Sequence, residues 1–210
     1  MPVLPFTSDA DVVKFARAFL DGHVKRFRKD IAICLTPDGN RSHAYFPALI
    51  TCIAFVDLLS GLYAGKLENH GVKELKKYAS DFLDATTYTA DRIEIMYEMF
   101  RHKVAHLAQP YVVFDTHSKT KFQQQPRRLI AWTVQASGPR PAIEIVKVAP
   151  QQILRPPTPW PVLYDHRVYI RLKILAADIR KSVPRYLQRV KTDSASRDTF
   201  KRCMTDCFPR

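Results

Sequence analysis

The residues of this chain best suited to chemistry lie in one short run, Arg101-His102-Lys103-Val104-Ala105-His106. Histidine titrates near neutrality and can move a proton as general base or acid. A guanidinium keeps its charge and donates in a fork that matches phosphate oxygens. Together they suit cleavage of RNA without a metal. A 2′-hydroxyl loses its proton and attacks the adjacent phosphorus, while arginine stabilises the charge that builds in the transition state. The run falls near the end of a periodic segment, about 89–108, in which Ile93, Met96, Tyr97, Phe100, Val104 and Leu107 recur at spacings of three and four. That spacing predicts one long helix with a single core stripe. At about 100° per residue from Phe100, Arg101, His102 and His106 fall at roughly 100°, 200° and 240°, all off the stripe.

An Arg–His pair of similar spacing also occurs at Arg17 and His23, but there Ala18 follows the arginine and the segment reads as an ordinary amphipathic helix. Position late in the helical run, and His102 beside the arginine, set the first pair apart. Arg101-His102-Lys103-Val104-Ala105-His106 resembles the Arg-x(4–6)-His signature of the HEPN superfamily (higher eukaryotes and prokaryotes nucleotide-binding). The resemblance implies a helical bundle and a metal-independent endoribonuclease of the kind found in toxin–antitoxin and other defence systems. It implies Arg101 as the phosphate-binding catalytic residue, His106 as acid/base and His102 as the supporting polar residue. It further implies a homodimer in which two motifs meet, an antitoxin protein as a partner, and no cofactor. The position two residues after the histidine is Ala108 rather than tyrosine, so the resemblance does not extend to control by tyrosine adenylylation. The alternative is a HEPN-like module without activity that binds nucleic acid or a protein.

The elements that must position the motif are legible in outline. Ser8-Asp9 caps a helix that runs to about Arg28. An apolar helix spans roughly 43–66 and is expected at the centre of the core. A short amphipathic helix follows over 72–83, and then the motif helix, which Pro110 ends. From there the period changes. Residues 111–114, 129–135 and 143–148 are short and rich in β-branched and aromatic residues, which predicts an antiparallel meander of about three strands. Pro150, Pro156, Pro157, Pro159 and Pro161 read as a stiff connector. A last helix is expected over 163–190, kinked or interrupted at Pro184. The expected fold class is therefore mainly α: a four- to five-helix HEPN-like bundle with a small antiparallel β-meander inserted before the last helix. One domain is expected over 1–190, with the β insertion at about 110–150 and a basic, mobile tail over 191–210.

Charge is distributed unevenly. The net charge is +13, and residues 111–210 hold 19 Lys and Arg against 7 Asp and Glu. Such a half suits a polyanion, and RNA is the expected partner. Arg127, Arg128, Arg171 and Lys173 are the candidate RNA-binding residues, on a basic face with Arg167, Arg180, Lys181, Arg185 and Arg189 that is interleaved with Trp160, Tyr164, Tyr169 and Tyr186, since arginine and aromatic rings together suit single strands. Asp57 is the one acid inside the apolar 43–66 helix and needs a partner there. It shares a face with Ser60, Gly61 and Ala64, where small residues would let another helix approach. Asp57 is thus a candidate to orient Arg101 or a histidine. His102 and His106 could form half a zinc site, but no third ligand accompanies them and no metal is expected. None of Cys34, Cys52, Cys203 and Cys207 forms a Cys-x-x-Cys pair. Cys34 and Cys52 read as buried thiols, and Cys203 and Cys207 as tail residues open to reaction. The N-terminus carries no signal-peptide pattern, and the longest apolar run is broken by Thr51, Asp57 and Ser60. A soluble, cytoplasmic protein without a membrane span is expected.

Overall fold

A computed structural model of the chain describes residues 6–37, 44–68, 71–101, 112–153 and 160–207. Ser8 starts the first helix as a capping box: its hydroxyl accepts from the Asp11 amide, and the Asp11 carboxylate accepts from the Ser8 amide. Helix α1 then runs Asp9–Leu35, burying Val12, Ala16, Leu20, Phe27, Ile31 and Leu35. Helix α2 (Tyr45–Ala64) ends at Gly65, whose φ of 75° needs a residue without a Cβ. Helix α3 (Val72–Phe82) follows, and α4 (Ala90–Met96) continues into a π-helical turn over Tyr97–Arg101.

Helix α2 is long and apolar enough to cross a bilayer by length and composition, with half of its apolar window buried within the fold. In this fold it is the central helix. It packs against α1, α3 and the π turn, and also against two later helices, α5 (Leu172–Thr192) and α6 (Ser194–Cys207).

The expected fold class does not hold. The chain is mixed α/β, with a four-stranded sheet in place of a small antiparallel meander on a bundle. Strands β1 (Phe114–Asp115), β2 (Leu129–Gln135), β3 (Ile143–Ile153) and β4 (Val162–Arg171) lie in the order β1-β2-β4-β3. β4 inserts between β2 and β3, parallel to β2 and antiparallel to β3. Ile130 and Val134 on β2, Val168 and Ile170 on β4, and Ile143 on β3 are buried, and in register they share the face that joins the helical core.

Three other expectations change with it. Residues 162–171 are strand rather than the start of the last helix, and α5 begins only at Leu172. Pro184 sits inside α5 without interrupting it. The expected mobile tail is largely α6, in which Phe200, Cys203 and Met204 are buried. Asp193 caps that helix by accepting from the Ser196 amide at 3.1 Å. Cys203 is therefore a core thiol and not an exposed reactive one.

Candidate functional site

The motif helix begins with Thr89, whose hydroxyl accepts from the Arg92 amide. Ile93, Ile95, Tyr97, Met99 and Phe100 are all buried, so the core surrounds this helix on more than one side. Beyond Met96 the helix continues into the π turn, Tyr97–Arg101. Its i→i+5 bonding widens the turn, so the α-helical wheel that put Arg101 off the core stripe does not carry across it. Arg101 is its final residue, and His102 and His106 lie outside the described residues. The suggested pairing of Asp57 with Arg101 or a histidine lies outside them too. Asp57 is half-buried on α2, which does pack against the π turn. The close approach at Gly65, however, is made by α6. A Cβ there would stand 2.8 Å from Thr199 and 2.6 Å from Arg202.

One face of the same helix carries Asp91, Glu94 and Glu98, and the 3₁₀ turns after β1 cover it with cations. Glu94, with a side chain only 5% exposed, pairs with Lys76 of α3 and with Lys121. Glu98 accepts from Lys121 at 2.6 Å and pairs with Lys119 at 2.8 Å. Burial raises the Glu98 carboxyl, but the two lysine hydrogen bonds outweigh it and hold the group below the usual range. Arg128 donates to both oxygens of Asp91 at 2.8 Å, a bidentate fork that raises its own pKa.

The four candidate RNA-binding residues are thereby separated. Arg128 is committed to Asp91. Arg127 donates to Asp115 at 2.7 Å. Arg171 is buried, donating to the Pro141 carbonyl at 2.6 Å and to Glu144 at 2.8 Å. Lys173 is exposed near the start of α5. The structure does not gather them into one face. Tyr186 leaves the proposed aromatic set as well, since it is buried among Tyr63, Tyr78 and Phe82.

What sequence reasoning missed is a surface groove of about 500 Å³ between β2, β3 and β4, lined by Trp132, Thr133, Gln152, Ile153, Tyr164 and Arg167. Trp132 packs edge-on against Phe46 at 5.2 Å and Phe100 at 6.4 Å between ring centroids. Phe100 immediately precedes Arg101, so one aromatic contact links the groove to the motif helix. The apolar cavity among α2, α3 and α4, lined by Ile53, Leu75, Ile93 and Leu175, encloses only about 40 Å³. That is far below the roughly 300 Å³ of a small-molecule site. No group of three or more His, Cys, Asp or Glu among the described residues could hold a metal ion.

Compared with protein-family models, curated proteins and solved structures, the chain matches none.

Proposed function

We propose that this chain is a metal-independent endoribonuclease, HEPN-like in its Arg–His chemistry though not in the bundle first expected. Arg101 binds the scissile phosphate and stabilises the developing charge. His106 takes the proton of the 2′-hydroxyl as that oxygen attacks phosphorus, the P–O5′ bond breaks and the 5′-oxygen leaves with a proton, and His102 supports it. The observation that carries the reading is the π turn ending at Arg101. Such turns are rare inside helices and concentrate at functional sites. The surplus of cations in residues 111–210 supports a polyanionic substrate. The proposal includes a homodimer that brings two motifs together, an antitoxin protein as partner, and a cytoplasmic address, with which the free thiols of Cys34 and Cys52 agree.

The test is incubation of the purified protein with RNA in EDTA. The expected products carry 2′,3′-cyclic phosphate ends, and Arg101→Ala and His106→Ala abolish them. Variants that cleave as fast as the parent exclude the assignment. Binding of RNA without cleavage by the parent instead makes the protein a nucleic-acid-binding module. Light scattering checks the dimer, and a monomer that cleaves at full rate removes the composite site.

A further inference from the structure

The sheet layer holds five described arginines with an unequal fate. Arg127, Arg128, Arg140 and Arg171 each pair with a carboxylate: Asp115, Asp91, Asp178 and Glu144 respectively. Arg167 pairs with none among the described residues. Its Nη2 donates to Gln151 Oε1 at 3.3 Å and to the Tyr164 hydroxyl. Its guanidinium lies over the Tyr164 ring, 5.2 Å from the centroid. Its Nε is buried and donates to no group among the described residues. A cation lying on an aromatic face and lacking a counter-charge is an arrangement that an anion can complete.

The surroundings narrow the class of anion. Arg167 lines the groove together with Trp132 and Tyr164. At the same end of β4, Trp160 is 67% exposed and Leu163 51% exposed. Large apolar side chains left open beside an uncompensated arginine favour a ligand that offers both a flat apolar face and a negative charge. Unpaired nucleobases on a phosphodiester backbone have both. An acidic peptide offers the charge without the flat faces, and a duplex hides its bases within the stack. We infer that the groove of Trp132, Tyr164 and Arg167, with Trp160 at its rim, is the binding track for single-stranded RNA. Arg167 holds a phosphate, and the exposed Trp160 ring takes the base of an adjacent nucleotide, while the buried Tyr164 forms the floor on which Arg167 lies. Trp132, which lines the groove, packs on Phe100, the residue before Arg101. The inference deepens the ribonuclease reading by naming where substrate lies, but the groove can bind whether or not the motif cleaves.

The chain contains two tryptophans, Trp132 and Trp160, so intrinsic fluorescence reports this region alone. A 2′-O-methyl oligonucleotide serves as the probe, because it lacks the attacking hydroxyl and cannot be cut. Titration of the full chain is expected to give saturable quenching. Arg167→Gln is expected to weaken binding about tenfold, and Trp160→Ala by several-fold. Arg167→Lys is expected to bind between parent and Arg167→Gln. Circular dichroism melts identify any variant that fails to fold. Trp160→Ala alters an exposed residue and keeps the test open in that event. Polyglutamate and a duplex of equal length are expected not to displace the probe. Absence of saturable quenching overturns the inference, as does equal affinity in folded Arg167→Gln and Trp160→Ala, or displacement by polyglutamate, which would assign the face to an acidic protein. Probe binding that needs Arg167, in a protein that leaves RNA uncut, would retain the track and reject the ribonuclease. Cleavage with silent tryptophans and no dependence on Arg167 would do the reverse.

Discussion

Two basic regions of this molecule look alike in composition and differ in what their charges touch. Over α4, the cations Lys76, Lys119, Lys121 and Arg128 close onto Asp91, Glu94 and Glu98. In the sheet groove, Arg167 meets tyrosine and glutamine and, among the described residues, no carboxylate. The first region is a clamp that fastens the loop after β1 to the motif helix. The second has charge left over for a ligand. A surplus of positive charge in the sequence therefore does not mark the binding face. The pairing of each cation does, because a guanidinium already forked onto a carboxylate must lose that partner before it can take a phosphate.

The difference can be tested by exchanging the roles of the two regions. In the clamp, Glu98→Gln leaves two lysines facing a neutral side chain. Allowing for lysines that are about one-third exposed, it should cost about 1–3 kcal/mol, read as a lower melting temperature, with oligonucleotide affinity unchanged. Arg128→Ala should cost about 1–2 kcal/mol by leaving Asp91 without its fork, again with affinity unchanged. A loss of affinity in Arg128→Ala that matches Arg167→Gln would erase the distinction between the regions. Arg127→Ala, at the exposed end of the layer, should leave both melting temperature and affinity where they were.

A separate effect concerns acid. The Lys66 ammonium and the Gly71 amide draw the Glu74 carboxyl down from 4.5 to about 2. A carboxyl with a lowered folded pKa adds stability above its ordinary value and loses it as the pH falls through the folded one. Stability should thus decline between pH 4.5 and 2 in the parent. In Glu74→Gln that part of the decline should be missing, and an unchanged acid profile would remove the Lys66–Glu74 contribution.

Helices with strong local punctuation were readable from sequence. Ser8 marks the start of α1, although that helix runs on to Leu35 rather than stopping near Arg28, and Gly65, where α2 reverses into the left-handed region, did not stand out. The β4–α5 boundary was not readable, because no turn residue separates the two elements. Arg171 is at once the last strand residue and the helix N-cap. Its amide donates to the Ala142 carbonyl at 2.9 Å, and the Lys173 amide donates to Ala136 at 2.9 Å, so tertiary contacts rather than local chemistry make the switch. α6 was legible and overlooked. Asp193 is an N-cap residue, and Phe200, Cys203 and Met204 recur at helical spacing, a pattern masked by basic composition. At the site, the residue types around Arg101 were legible, but the π turn was not, since one added residue per turn leaves no mark on composition. Nor was the pairing of the arginines, whose carboxylate partners lie 12 to 38 positions away.

The most direct measurement is steady-state RNA cleavage in EDTA by the parent, Arg101→Ala and Arg167→Gln, with kcat and KM resolved for each. Arg101→Ala should lower kcat about 100-fold or more, as loss of one transition-state donor does. Arg167→Gln should raise KM about tenfold at nearly constant kcat, the pattern of a contact held equally in ground and transition states. Parental kcat in Arg101→Ala would contradict the account.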